Sequence, residues 1–211
     1  MSGQLLLRET AECDRAALEK IVSGTWRFDE FCKPRTAARL ARAYLAACLN
    51  EQSCSLTAVL DGEPAGVVMG CARGSRRPRL CPWLRAAASR LLLLLTAEGR
   101  QADIFITDSQ RADRDLLKKA AFDYDGQLSF FAVAPERRGR GVGKALYRAM
   151  LRYFERAGVR SFYLFTDTEC DFGFYERQGL RRRCEKLLTL QLDEGLLRTM
   201  FYLYDNRPAE I

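Results

Sequence analysis

The chain has 211 residues, of which 48% are hydrophobic and 10% aromatic. This composition is typical of a folded globular protein rather than a disordered chain. The formal net charge of +7 admits nucleic acid as a partner. Much of the positive charge, however, lies in two arginine groups, at 137–140 and 181–183, and no nucleic-acid-binding motif accompanies them. Attraction of an acidic cofactor or substrate explains the charge equally well.

Cysteine and histidine usage limits the metal chemistry. The eight cysteines form no C-x-x-C pair and the chain has no histidine, so we predict no metal site of the familiar zinc or haem kinds. The N-terminus lacks a secretory signal pattern, which favours reduced thiols and a cytoplasmic location. The apolar run Leu91–Leu95 is too short to span a membrane and predicts a buried or interface-facing helix.

The first third of the chain predicts a strand, two helices and a β-hairpin. The strand is expected over 4–8, the helices over 11–22 and 34–49, and the hairpin strands over 53–60 and 65–72. A link at 23–30 separates the helices, and Asp-Gly-Glu-Pro at 61–64 predicts the hairpin turn.

Residues 73–121 have a different character, because helical patterns replace strands. A basic loop at 76–79 precedes helical patterns at 83–95 and 113–122. Between them, Ala102–Thr107 fits either a short strand or a helix. We expect this mainly helical insertion to cover the cleft as a lid or to form the surface of a homodimer.

The remaining residues predict a strand, a helix, a second strand, a short helix and a final hairpin. Their expected ranges are 128–134, 142–157, 159–166, 170–178, and 180–192 with 196–204. The first three elements form a βαβ unit, which has a ligand crevice beyond its strand ends. The whole chain, 1–211, is predicted to be one domain of the α/β class with a mixed sheet.

The turn of the βαβ unit carries the most informative motif. Gly139, Gly141 and Gly143 let the backbone approach a ligand closely, and the following helix directs free N–H groups at it. We interpret this turn as an anion-binding loop suited to a pyrophosphate. It is not a P-loop, because Ala145 stands where Ser or Thr is required, and its glycine spacing does not match G-x-G-x-x-G.

The residues Arg138-Gly139-Arg140-Gly141-Val142-Gly143 fit the pattern R/Q-x-x-G-x-G/A, and Phe174-Tyr175-Glu176-Arg177-Gln178-Gly179-Leu180 follows downstream. With both segments and the order of elements, the chain resembles the GCN5-related N-acetyltransferase (GNAT) family. The resemblance is clear over about 128–192 and is topological only over 4–72. It implies the GNAT acyl-coenzyme A N-acyltransferase fold and acetyl-coenzyme A as the acyl donor.

The resemblance also implies roles for individual residues. Tyr175 falls on the family's general-acid tyrosine and is expected to donate a proton to the departing thiolate. Thr168 stands where the family often has an asparagine that contacts the pantetheine arm. Main-chain groups of Phe131, Ala132 and Val133 are expected to pair with that arm. The pyrophosphate would be bound by the loop residues Arg138, Gly139, Arg140, Gly141, Val142, Gly143 and Lys144.

The amine acceptor is expected near the link between the first two helices. Trp26, Phe28, Asp29 and Glu30 form a cluster of aromatic and acidic residues that suits a cationic amine, although a loop anchored by buried aromatics explains it as well. The sequence does not decide between several candidates for the general base, namely Asp123, Asp125, Asp29, Glu30 and deprotonation through water. It also leaves undecided whether Tyr202 and Tyr204 on the last strand contact the acceptor.

We therefore expect an N-acetyltransferase that moves an acetyl group from acetyl-coenzyme A to a primary amine of a small molecule or peptide. One alternative is a non-catalytic acyl-coenzyme A-binding regulatory domain. The other is a basic nucleic-acid-binding protein. No membrane association is expected.

Overall fold

The computed structural model of the protein describes residues 4–75, 80–192 and 195–208. The strands are β1 (Leu5–Glu9), β2 (Cys54–Leu60), β3 (Glu63–Ala72), β4 (Gly126–Val133), β5 (Phe162–Asp167), β6 (Arg181–Leu192) and β7 (Gly195–Asp205). The α-helices are α1 (Arg15–Thr25), α2 (Phe28–Phe31), α3 (Pro34–Glu51), α4 (Leu80–Leu94), α5 (Ala97–Ala120), α6 (Val142–Arg156) and α7 (Gly173–Arg177). The predicted elements are present, with shifted ends.

The strands form one seven-stranded sheet in the order β1-β2-β3-β4-β5-β7-β6. Neighbouring strands are antiparallel except β4 and β5, which are parallel and are joined through α6. The mixed α/β sheet that the sequence predicts is thus confirmed. Because β7 lies between β5 and β6, the final hairpin extends the sheet beyond the βαβ unit.

Helices cover both faces of the sheet. On one face, Leu18 of α1 and Leu40 of α3 are fully buried against Phe130 of β4. On the other face, α6 buries Leu146 and Met150, as the 3.6-residue spacing of its apolar residues predicts. Helix α5 lies over the β6–β7 side of the sheet in a third cluster of buried apolar residues.

The segment between β3 and β4 is mainly helical, as predicted. Ala102–Thr107, for which strand and helix were both open, lies inside α5. The side chain of Thr96 caps this helix by accepting the N–H of Gly99 at 3.0 Å. The Glu98 carboxylate then accepts the main-chain N–H of Lys33 at 2.7 Å and thereby joins α5 to the start of α3. The basic loop predicted at 76–79 lies outside the described residues.

The apolar run Leu91–Leu95 is only partly buried. Leu93 is inaccessible, whereas Leu91 and Leu95 are 63% and 65% exposed. Helix α4 packs on α3, so Leu91 and Leu95 are not buried within the described chain, and the alternative of an interface-facing helix stays a prediction. None of the described helices is both long enough and apolar enough to cross a membrane.

The connection from α6 to β5 sets the position of the parallel strands. Gly158 follows α6 with φ of +74°, and the N–H of Val159 donates to the carbonyl of Phe154 at 2.9 Å, which is a glycine C-cap. The Asp125 carboxylate accepts the main-chain N–H groups of Arg160 and Ser161 at 3.1 and 3.0 Å. Strand β5 therefore begins at Phe162 rather than at Val159, beside the first residue of β4.

Candidate active site

The central strands β4 and β5 separate soon after they pair. Their register contains only Gly126 with Phe162 and Gln127 with Tyr163, while both strands continue for several residues. Strand β4 also carries a bulge, because Met69 and Gly70 of β3 pair with Phe130 and Leu128 and leave out the residue between them, Ser129. The sheet therefore has an opening between the ends of β4 and β5 where main-chain groups of β4 face no neighbouring strand.

The glycine-rich loop lies at the end of β4 that borders this opening. Gly139 and Gly141 have φ of +73° and +79°, and a Cβ at either position would meet no atom within 4 Å. These glycines are thus required by backbone conformation, and the space above them is open. Within the described residues, the N–H groups of 139–144 have no hydrogen-bond acceptor. A row of six adjacent N–H groups without acceptors at the start of a helix is an arrangement that can bind an anion.

The charged side chains of the loop are exposed and differ in their partners. The Nε of Arg138 donates to the carbonyl of Val133 at 3.4 Å. Arg140 forms an ion pair with Asp61 at 3.4 Å, so part of its charge is compensated. Lys144 is exposed on the first turn of α6. The main-chain donors, rather than these side chains, are the fixed part of the site.

Tyr175 lies across the opening from β4. Its side chain is 8% exposed, and its ring centroid is 6.4 Å from that of Phe131. A Cβ on Gly143 would lie 3.6 Å from the Phe131 ring, so the loop and Tyr175 meet at the same residue of β4. Burial raises the pKa of the Tyr175 phenol well above its ordinary value of 10.0. The hydroxyl therefore carries its proton at neutral pH.

Thr168 and its neighbour Thr166 occupy different environments. The hydroxyl of Thr168 accepts the main-chain N–H of Met200 on β7 at 3.3 Å, which directs it toward β7 and away from β4. Thr166, two residues earlier, is 7% exposed, and its Oγ1 atom is buried with no hydrogen-bond partner in the described residues. Thr166, which the sequence did not single out, thus has a buried hydroxyl near the end of β5, in the neighbourhood of the Cys170 thiol.

The four residues expected to bind the acceptor do not form one cluster. Trp26 is half-buried, with its ring centroid 5.4 Å from that of Phe130 on β4. Phe28 is 2% exposed and belongs to the core. Asp29 and Glu30 are exposed at the surface, and Glu30 forms an ion pair with Arg27 at 2.5 Å. Of this group, Trp26 alone lies at the edge of the opening.

The carboxylates considered as bases have structural partners. Asp123 is exposed and pairs with Arg73. Hydrogen bonds from main-chain and side-chain groups of Ser161 and from the Arg160 N–H hold the pKa of Asp125 below its ordinary value. Tyr202 and Tyr204 are buried in the cluster on the α6 side, where the Tyr204 hydroxyl donates to Glu176 at 2.7 Å.

Two carboxylates that sequence reasoning missed lie near each other and near Tyr44 of α3. Asp113 of α5 has a buried Oδ1 atom with no hydrogen-bond partner in the part of the chain that the structure describes. Burial raises its pKa to about 7, with a further contribution from the nearby Asp167 at the end of β5. Burial also raises the pKa of Asp167. Asp113 occupies the core-facing side of α5 together with Leu116, and a carboxylate in that apolar stripe is the sequence signal that marks it.

No metal cluster is found among the described residues, in which no group of three or more Cys, Asp or Glu side chains is arranged to hold an ion. The groups that remain are free main-chain donors, a protonated tyrosine and two carboxyls. Such a set can bind an anionic donor molecule and move protons on both sides of a carbonyl group.

Comparison with known proteins agrees with this geometry. The model of the Acetyltransferase (GNAT) family matches residues 17–180. The match spans the first helices, the loop and Tyr175, and the chain therefore belongs to the GNAT family of acetyltransferases. Comparison with curated protein sequences found no match.

Solved structures show the same fold at low sequence identity. A GCN5-related N-acetyltransferase from Rhodopseudomonas palustris has a TM-score of 0.52 and 14% identity, with 96% of each chain covered. The GNAT-family acetyltransferase from Streptococcus pneumoniae has a TM-score of 0.51 and 16% identity, with 96% of this chain and 98% of that chain covered. The PaiA N-acetyltransferase from Thermoplasma acidophilum, in complex with coenzyme A, has a TM-score of 0.51 and 10% identity, with 97% and 99% covered. At these low sequence identities, the structural similarity is evidence for a shared fold alone.

Proposed function

We propose that the protein transfers the acetyl group of acetyl-coenzyme A to a primary amine. The observation that carries this proposal is the row of six free N–H groups at 139–144, which lies beside the opening between β4 and β5. A pyrophosphate on these donors leaves the rest of an extended coenzyme to run along the unpaired side of β4. Its thioester end would then reach the region between Phe131 and Tyr175.

The pantetheine arm would add to β4 as a further strand would. In this proposal the main-chain groups of Phe131, Ala132 and Val133 pair with its amides, because β5 has turned away from them. Phe131 and Val133 lie beside Gly143, so the same stretch adjoins the pyrophosphate loop. Thr168, which the resemblance puts at the pantetheine contact, has its hydroxyl engaged by the N–H of Met200, so we propose that the buried Thr166 hydroxyl contacts this arm instead.

Tyr175 would serve as the proton donor to sulfur. When the carbon–sulfur bond breaks, the leaving thiolate needs a proton or a strong hydrogen bond. The Tyr175 phenol carries a proton at neutral pH because burial raises its pKa. The 6.4 Å distance between the ring centroids of Tyr175 and Phe131 supports this role, because the proposed thioester end of the coenzyme lies beside Phe131.

A thiol-release screen tests the proposal. The wild-type protein is mixed with acetyl-coenzyme A and, separately, with aliphatic amines, amino acids, aminoglycosides and peptides with free N-termini. Amine-dependent release of coenzyme A thiol, matched by an acetylated product in the mass spectrum, is expected for at least one class. Tight binding of acetyl-coenzyme A without release for any class would instead identify a non-catalytic acyl-coenzyme A-binding domain.

A further inference from the structure

Asp113 of α5 carries a buried side-chain oxygen that is left without a hydrogen-bond partner. In the described residues, four buried side-chain oxygens have no such partner, and the Oδ1 atom of Asp113 is the one that belongs to a carboxylate. Buried polar atoms are nearly always paired in native proteins. An unpaired buried carboxylate oxygen indicates a place for a polar ligand.

Aromatic rings pack together on the α3 side of the sheet. The ring centroid of Trp26 is 5.1 Å from that of Tyr44 and 5.4 Å from that of Phe130, and the last two are 5.9 Å apart. Trp26 and Tyr44 are half-buried and pack against the edge of the core. Faces of Trp and Tyr attract cations.

The two carboxyls beside these rings have no cationic partner. Neither Asp113 nor Asp167 forms an ion pair with any described residue. Asp167 accepts hydrogen bonds from neutral groups, among them the main-chain N–H of Glu169 at 2.9 Å, and it also interacts with Cys170. We name Trp26, Tyr44, Asp113 and Asp167 together the acceptor pocket.

The titratable groups around Asp113 come from several elements. Burial raises its pKa first, Asp167 raises it further, and Arg114 on the same helix lowers it, which leaves a value of about 7. Asp113 also contributes to the raised pKa values of Tyr44 on α3 and Tyr163 on β5, for both of which burial is the largest cause. The pKa of the nearby Cys170 thiol is raised by burial and by Asp167.

We propose that the acceptor pocket binds the ammonium group of an aliphatic primary amine that carries no carboxylate, and that Asp113 removes the proton from this group before transfer. The inference rests on the proposed function and names its acceptor class and its base. Asp167 holds the cation, while the aromatic rings contact the alkyl chain and the positive charge. An acceptor with its own carboxylate is repelled by the two acidic side chains.

In the proposed reaction Asp113 takes one proton from the amine and Tyr175 gives one proton to sulfur. The ammonium gives one proton to the Asp113 carboxylate, and the neutral nitrogen forms a bond to the thioester carbonyl carbon. The carbon–sulfur bond breaks with its electron pair on sulfur, which takes a proton from Tyr175. The nitrogen loses its second proton, which returns through solvent to the Tyr175 phenolate, and Asp113 releases its proton to solvent. The products are an acetamide, free coenzyme A and one proton.

The test uses three probes of equal chain length: 1,4-diaminobutane, butylamine and 4-aminobutanoate. Thiol release and acetyl-coenzyme A binding are measured for wild type, Asp113→Asn, Asp167→Asn and the control Asp115→Asn. Asp115 lies on the same helix but pairs with Lys186 at 2.5 Å and belongs to no part of the pocket. Melting temperatures verify that each variant is folded.

We expect the two amines without a carboxylate to be acetylated and 4-aminobutanoate to be at least about 100-fold poorer in kcat/KM, as an unpaired like charge predicts. Asp113→Asn should lower kcat by about 100-fold or more, the usual contribution of a general base. It should also abolish a rise of kcat/KM with pH that is centred near the Asp113 pKa of about 7. Asp167→Asn should mainly raise KM for the amine, and Asp115→Asn should behave as wild type.

The outcomes separate the two proposals. Equal use of 4-aminobutanoate, or an unchanged pH profile in Asp113→Asn, would overturn this inference while leaving the acetyltransferase proposal intact. Thiol release that is absent with every amine class would overturn the proposed function, and this inference with it.

Discussion

A carboxylate buried without a cation destabilises the folded protein at neutral pH, and Asp113 is such a group. We predict that Asp113→Asn makes the protein without ligands more stable, although it removes the proposed base. The asparagine keeps the size of the side chain and has no charge to bury. A residue that lowers stability while serving the reaction is a recognised trade-off at active sites.

The magnitude follows from the pKa of Asp113, which rises from the ordinary 3.8 to about 7. Below the ordinary value, both the folded and the unfolded chain hold the proton. As the pH rises from about 4 to 7, the unfolded chain loses the proton first, so the folded state becomes less stable over this range. The cost of the charge reaches about 4 kcal/mol at pH 8 and is about 1–2 kcal/mol at pH 5.

The assay is urea unfolding of wild type and Asp113→Asn at pH 5 and pH 8, followed by circular dichroism. The advantage of the variant in unfolding free energy should grow by about 2–3 kcal/mol between the two pH values. The control Asp115→Asn loses its ion pair with Lys186 and should show no such gain. An Asp113→Asn protein that is less stable than wild type at pH 8 would refute the reasoning, because Asp113 would then have a partner that stabilises its charge.

Three further predictions concern the loop, the proton donor and the start of β5. Tyr175→Phe should lower kcat about 100-fold or more and leave the Kd of acetyl-coenzyme A unchanged in calorimetry; an unchanged kcat would exclude Tyr175 as the donor. Gly141→Ala places a Cβ at φ of +79°, which costs about 1–2 kcal/mol, so the melting temperature should fall and the stabilisation by coenzyme A should shrink. Asp125→Ala should lower the melting temperature near neutral pH because Arg160 and Ser161 lose their acceptor. Since the pKa of Asp125 is lowered in the folded state, its contribution is present above pH 3.8 and is lost as pH falls further, so the difference from wild type should close in acid.

The sequence predicted the parts of the fold that local chemistry determines. Alternating and continuous apolar runs located the strands, and the apolar face of α6 with Gly158 behind it located that helix and its end. The loop at 139–144 was also predicted, because its glycines and the helix start are adjacent in the chain. The resemblance to the GNAT family, carried by these local motifs, is confirmed by the match over residues 17–180.

The acceptor side could not be predicted in the same way, because distant segments form it. Asp113 approaches Asp167 only when α5 packs over the sheet, and that packing depends on the order in which β7 and β6 follow β5. Asp29 and Glu30 gave a stronger local pattern, since they adjoin two aromatic residues in the chain. In the structure they face solvent, whereas Trp26 reaches the opening through its contacts with Tyr44 and Phe130 on other elements.

We propose that the opening between β4 and β5 is a site of acetyl transfer to an amine. The most direct measurement is the initial rate of thiol release from saturating acetyl-coenzyme A, with and without each amine class, together with the mass of the product. We predict amine-dependent release that matches the acetylated product mole for mole and that falls sharply in Tyr175→Phe. Release at the same rate with and without every amine, from a protein that binds acetyl-coenzyme A, would contradict the account.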